Sequence, residues 1–179
     1  MQAHVGEKYK KDWSGTPAVN PELLCRPKNT SDLSKIIKIC HSHNQSIVIQ
    51  GGMTGLAGGA TPQHGEVALS LERMSGVEDI DERNMTMVAL AGTPLQVLQE
   101  AALEKNLYLP IDLGARGSCT IGGNVATNAG GTEVIRFGMT RSSVLGLEAV
   151  LSDGTVVSAM NRMIKNNSGY DLKHLFIGT

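Results

Sequence analysis

Hydrophobic period changes several times along the chain, and each change predicts a different element. Leu33, Ile36, Ile37 and Cys40 recur at i, i+3, i+4 and i+7, which predicts a helix with one buried face. That helix runs from an N-cap at Thr30 or Ser31 to about His43. Before it, Leu23-Leu24-Cys25-Arg26-Pro27 predicts a short strand stopped by Pro27. After it, residues 46–50 and 67–71 are apolar, β-branched or small runs of strand length. Residues 77–80 and 85–90 predict a hairpin turning at Asp81-Glu82-Arg83-Asn84, a solvated turn. A second helix begins with Thr93 as N-cap, Pro94 at the first position and Gln96 closing a capping box. Its buried stripe is Leu95, Leu98, Ala101 and Ala102, and it ends near Asn106. Residues 144–151 and 155–159 predict a further hairpin, turning at Asp153-Gly154. A polar loop over 165–172 enters a short helix, and Leu175-Phe176-Ile177 opens another expected strand. The chain stops inside that apolar run, so it is expected to be cut short. The opening residues have few periodic apolar positions and are expected to lie across the surface, with Trp13 as packing anchor.

Two stretches obey neither period. Residues 51–59 (Gly51-Gly52-Met53-Thr54-Gly55-Leu56-Ala57-Gly58-Gly59) follow directly on the strand at 46–50. Residues 117–131 carry Gly117, Gly122, Gly123, Gly130 and Gly131, interleaved with Ser118, Thr120, Asn124, Thr127 and Asn128. Such segments make poor core, but they expose backbone N–H groups and short polar side chains to a large polar ligand. Two of them suggest a phosphate-containing cofactor held from two sides. The first run matches neither common phosphate fingerprint: no Gly-Lys-Ser/Thr follows, and its glycines do not stand at i, i+2 and i+5. Taken alone it reads equally as a tight crossover.

Composition narrows the ligand. The net charge of −1 and the absence of a Lys/Arg run leave no basic field for nucleic acid. Aromatic residues make up only 3%, so stacked-aromatic binding is not encoded. At 179 residues the chain supports one substantial core or two small lobes. Cys25, Cys40 and Cys119 are scattered, without metal-ligand spacing, and read as reduced thiols in a cytoplasmic compartment. Cys40, on the buried face of the first helix, reads as core. His41 and His43 sit at a helix end, where cations near the C-terminus are favoured over metal ligation. Asp112 reads as structural at least as readily as catalytic. No signal-peptide core and no membrane-length apolar run is present, so a soluble intracellular protein is expected.

With both loops in view, the chain resembles the FAD-binding domain of the FAD-linked oxidases, the vanillyl-alcohol-oxidase/PCMH family. The residues that carry the resemblance are Gln50 to Leu56, the run from Pro110 to Gly131, Gly146 to Gly154 and Asn167 to Gly178. Within the family the chain is most similar to the D-2-hydroxyacid dehydrogenase branch, which includes D-2-hydroxyglutarate and D-lactate dehydrogenases and the glycolate oxidase flavoprotein subunit.

The resemblance implies an α+β fold of PCMH type: an arm over residues 1–20, then a domain over 21–179 in two lobes. The lobe boundary is expected near 100–115, with FAD extended between the lobes. Gly51, Gly52, Met53, Thr54, Gly55 and Leu56 would hold the pyrophosphate through backbone N–H groups. Pro110, Gly117, Ser118, Thr120, Ile121, Gly122, Gly123, Asn124 and Thr127 would line the flavin and its ribityl chain. Met53 stands where relatives usually carry Gly or Asn; a left-handed backbone there would cost about 1–2 kcal/mol. Members with covalently attached flavin carry a histidine in the first loop, and this loop has none, so FAD is expected to be non-covalent. The family's final strand and substrate-binding cap are expected to be missing, and with them the substrate arginine, the metal-binding histidines and the base. No catalytic or metal-binding residue is therefore assigned. The expected activity of the parent is oxidation of a D-2-hydroxy acid, with this piece inactive alone. A non-catalytic or degenerate flavin-binding fragment is the alternative. Exposed apolar surface where the missing parts belong predicts self-association.

Overall fold

The computed structural model describes residues 5–178; the first residues of the expected arm and Thr179, the last residue of the expected domain, lie outside the described residues. A small parallel sheet comes first. Strands β1 (Leu23–Cys25), β2 (Ile47–Gln50) and β3 (Val67–Ser70) are ordered β1-β3-β2, with Val67 paired to both Leu23 and Ile47. The central strand β3 is buried along its whole length, and Ala68 and Leu69 have no exposed surface. Parallel alignment of β1 and β2 on the two sides of β3 requires crossovers, and helix α1 (Thr30–Ser42), between β1 and β2, supplies one of them.

Helix α1 buries Ile37 and Cys40, as its periodicity predicts, while Leu33 and Ile36 are half-buried. Its cap is Asn29 rather than Thr30 or Ser31: the Asn29 side chain accepts from Asp32 N–H at 2.8 Å. The Thr30 hydroxyl instead donates to Glu148, and buried Ser34 donates to Gly154 O at 2.6 Å. Both bonds reach the late hairpin β6 (Leu147–Val150) and β7 (Val156–Ala159), which is antiparallel and rests on α1. Gly154 makes this approach possible. Its φ of +81° forms the turn, and a Cβ there would meet Lys38 Cγ at 2.3 Å and Ser34 O at 2.8 Å.

The hairpin β4 (Val77–Asp81) and β5 (Thr86–Ala89) is antiparallel, with a bulge between Val77 and Asp79. Asp81 closes its turn by accepting from the N–H groups of Arg83 and Asn84. Helix α2 (Leu95–Glu104) buries Leu95, Leu98 and Ala102. Its expected capping box is absent. The Thr93 hydroxyl lies 2.6 Å from Leu90 O and 3.1 Å from Gly76 O, and Gln96 reaches forward to Glu100. The start of the helix is capped by tertiary structure instead. Leu95 N–H and Gln96 N–H donate to Cys119 O and Arg116 O at 3.0 and 2.9 Å. A second apolar cluster forms where α2 meets the loop that follows it: Leu95, Ile111 and Cys119, flanked by Leu109, Leu113, Ala115 and Ile121.

Two other expectations are corrected. Trp13 is 58% exposed, and the arm is anchored by Tyr9, which is 7% exposed. Tyr9 donates its hydroxyl to Glu72, while Lys8 and Arg26 converge on the same carboxylate. Leu175-Phe176-Ile177 is not a strand: Leu172–Leu175 form a 3-10 turn, and Ile177 is buried at 3% exposure. That turn is the short helix expected after the polar loop.

Candidate cofactor-binding site

The first glycine loop leaves the C-terminal end of β2, at the edge of the parallel sheet. Among the described residues, none accepts a hydrogen bond from the backbone N–H groups of residues 51–57. Gly51, Gly52, Met53 and Thr54 are half-buried, and Gly55 and Leu56 are exposed. A run of unpaired, closely spaced amide donors is the arrangement that accepts a diphosphate without cationic side chains. Met53 has φ +58°, the left-handed conformation that a non-glycine residue adopts at a cost.

The second loop is less open than its sequence suggests, because much of it is folded. Residues Ile121–Ala126 form helix α3 despite two glycines, with Thr120 as N-cap. Ile121 N–H donates to Thr93 O and Gly122 N–H to Ala91 O, at 2.9 and 2.8 Å. These bonds hold the start of α3 against the segment leading into α2. They leave no room for a side chain at 122, where a Cβ would lie 2.8 Å from both Ala91 Cβ and Ala91 O. A further short helix, α4 (Val134–Phe137), follows.

The two loops touch. A Cβ on Gly52 would fall 1.9 Å from Ser118 O, and one on Gly51 would fall 2.5 Å from the Thr120 hydroxyl. These glycines are therefore required for loop-to-loop contact, quite apart from any ligand. Of the remaining site candidates, Gly117, Ser118, Gly123 and Thr127 are exposed, while Pro110, Ile121 and Gly122 are half-buried. Thr127 donates its hydroxyl back to Gly123 O at 2.9 Å. Thr120 and Asn124 are buried, at 6% and 4% exposure. The Asn124 amide turns inward toward Cys119 Sγ at 3.7 Å, and the buried Thr120 hydroxyl has no hydrogen-bond partner among the described residues. That unpartnered hydroxyl at the contact of the two loops, with the free amides beside it, fits a polar cofactor group.

Three further residues hold this arrangement: Gln50 and Asn128 lie in runs that carry the family resemblance, and Arg141 has no signal in the sequence. Gln50 is fully buried and donates to Tyr9 O and Ala60 O. Asn128, at φ +47°, accepts from Arg141 N–H. The Arg141 guanidinium donates to Ile177 O and Gly178 O, both at 2.6 Å. Gly178 N–H returns a bond to Val125 O at 3.1 Å, so the end of the described chain is seated on α3.

Burial raises the Cys119 thiol above its usual range, which keeps it protonated and suits it to packing. Asp112 is held below the usual carboxylate range by Arg116, 2.7 Å away, and by Gln99; it has the partners of a structural residue. Among the described residues, no group of three or more His, Cys, Asp and Glu side chains is placed to hold a metal ion. His43 Nδ1 lies 2.9 Å from Ile39 O at the C-terminal end of α1. Among the described residues no helix is long and apolar enough to cross a membrane.

Comparison with known proteins agrees with this geometry. Residues 21–160 match the family described as FAD binding domain. The chain is 47% identical over 168 residues to a probable mitochondrial D-2-hydroxyglutarate dehydrogenase of Oryza sativa subsp. indica, covering 94% of this chain and 30% of that protein. It is 38% identical over 173 residues to a putative mitochondrial D-lactate dehydrogenase of Schizosaccharomyces pombe, covering 97% of this chain and 33% of the relative. The chain thus spans about a third of the length of these curated relatives. Among solved structures, alkyldihydroxyacetonephosphate synthase superposes with a TM-score of 0.77 at 21% identity, over 87% of this chain and 28% of that one. That likeness shows a shared α+β fold. With its match spanning most of the sequence, this chain belongs to the FAD-binding domain family.

Proposed function

We propose that this chain is the FAD-holding part of an oxidoreductase that oxidises a D-2-hydroxy acid. The observation that carries the reading is the run of unpaired backbone N–H groups over residues 51–57, backed by close contact with the second loop. Gly51 to Leu56 hold the diphosphate. Gly117, Ser118, Gly123 and Thr127 face the rest of the cofactor, while Pro110, Thr120, Ile121, Gly122 and Asn124 shape the wall behind them. Bound FAD supplies the hydride acceptor, and this chain's part is to hold and orient it. The cofactor is non-covalent: the first loop offers no histidine, and Cys119 is buried with a raised thiol pKa.

The named activities of the relatives support D-2-hydroxyglutarate or D-lactate as substrate; glycolate, a smaller member of the same class, follows from the family resemblance alone. Turnover draws on residues in the two-thirds of such proteins that this chain does not match. Division of the domain into two lobes, with a boundary near 100–115, belongs to the same proposal. So does self-association, motivated by the exposed Ile135, Ile164, Tyr170 and Leu175. A cytoplasmic location belongs to the same proposal, supported by the three free thiols.

The test is a visible absorption spectrum of the purified chain with added FAD, repeated after acid precipitation. A flavin band that is retained on the folded chain and released into the acid supernatant supports the reading. A chain that takes up no FAD, or that keeps flavin in the acid pellet, contradicts it.

A further inference from the structure

The arm before residue 21 lies outside the segment that matches the FAD-binding family, yet it contacts the first glycine loop at several points. Trp13 N–H donates to Gly55 O at 3.0 Å, and Asp12 N–H donates to the Thr61 hydroxyl at 3.0 Å. Gln50, on the strand that launches the loop, bonds Tyr9 O on the arm and Ala60 O on the loop's return limb. Gly58, at φ +80°, lies against Thr16 and Ser14. At the centre is Asp12, only 3% exposed. Its Oδ1 accepts from Ser14 N–H at 3.0 Å, and its Oδ2 accepts from Ala60 N–H at 3.4 Å. Burial would push this carboxyl up, but the bonds from Ser14, Ala60 and Thr61 outweigh it and hold the group below its ordinary value, hence ionised.

The loop has few other constraints. Among the described residues its own N–H groups over 51–57 have no acceptor, and Gly51 and Gly52 touch the second loop. We propose that Asp12 is the positioning residue of the first glycine loop, pinning its return limb so that the free amides converge on the FAD diphosphate before it arrives. A preformed donor array avoids the ordering cost that a floppy glycine loop would incur on binding. Both carboxylate oxygens accept from N–H donors, so the isosteric Asp12→Asn cannot satisfy both: one face would set an NH2 against an N–H.

This inference rests on the FAD-site reading above, and its test separates the two. Wild-type chain, Asp12→Asn, and two arm controls are compared. Lys11→Ala alters an exposed neighbour, and Tyr9→Phe breaks only the bond to Glu72. Amide hydrogen exchange is measured on the ligand-free chain, and affinity is measured for FAD and for riboflavin, which lacks the diphosphate. The expected result for Asp12→Asn is faster exchange at Trp13, Ala60 and Thr61, and an FAD Kd raised about tenfold. Riboflavin affinity and exchange in α2 are expected to stay as in wild type, and Lys11→Ala to match wild type throughout. Unchanged exchange at those three amides overturns the proposal. So does an equal loss of FAD and riboflavin, or the same pattern in Tyr9→Phe, since each marks general loosening. If the wild-type chain takes up no FAD, the reading of the site fails, and the exchange comparison still decides whether Asp12 orders the loop.

Discussion

The arm's attachment can be measured through Glu72, at the end of β3. Its carboxylate receives Lys8 Nζ at 2.6 Å, the Tyr9 hydroxyl at 2.5 Å and Arg26 at 3.1 Å. Partial burial alone would raise its pKa; the hydrogen bonds from Lys8, Tyr9 and Arg26 outweigh that and lower it from 4.5 to about 2. Over that interval the linked free energy is about 3 kcal/mol. Lys8 and Arg26 are well exposed, however, so solvent screening and side-chain entropy reduce it to about 1–2 kcal/mol. The folded value lies below the unfolded one. The contribution is therefore complete above about pH 4.5 and is lost as pH falls toward 2. Urea unfolding of wild type and Glu72→Gln provides the assay. The variant is expected to be less stable by about 1–2 kcal/mol at pH 7, with the gap reduced to under half of that at about pH 3. Comparing the pair cancels the other titrating carboxylates. Equal stabilities at pH 7, or a gap that does not shrink in acid, would mean that the ionised Glu72 carboxylate does not stabilise the fold.

Three other outcomes test the packing around the loops. Gly52→Ala sets a methyl 1.9 Å from Ser118 O, a clash with backbone that cannot be relieved by a rotamer, so the loops must separate. FAD binding by fluorescence titration should be lost, and wild-type affinity in the Gly52→Ala variant would discount the loop contact. Met53→Gly relieves the left-handed backbone at φ +58° but adds chain entropy to the unfolded state, for a net gain of up to about 1 kcal/mol. Its melting temperature should rise slightly, and a clear fall would mean that Met53 packing outweighs its strain. Leu95→Ala empties a fully buried position between Ile111 and Cys119 and should cost about 2–5 kcal/mol in denaturant unfolding.

Elements governed by local chemistry were legible without coordinates. Helix α1 follows from the spacing of Ile37 and Cys40, and the two hairpins follow from turns at 81–84 and at Asp153-Gly154. The glycine loops were legible too, because no core can be built from such residues. The caps were not. Thr93 looks like an N-cap, but its hydroxyl faces Leu90 O and Gly76 O, while the carbonyls of Arg116 and Cys119 take the helix's first amides. Helix α3 was hidden for a related reason. Gly122 and Gly123 weaken its intrinsic propensity, and it is held by amides bonded to Ala91 and Thr93, far back in the chain.

Local sequence therefore encodes most of the helices, strands and turns, together with two glycine-rich loops whose many backbone amides stand in a chain without a basic run. Only the tertiary structure decided which of those amides are free. Pairing of an N–H depends on whether a carbonyl from elsewhere in the chain arrives within about 3 Å of it. Among the described residues none arrives over residues 51–57 of the first loop; in the second, Ala91 and Thr93 reach Gly122 and Ile121. The same non-local geometry turned Asp12 from an ordinary acid on a polar arm into a buried anchor beneath the first loop.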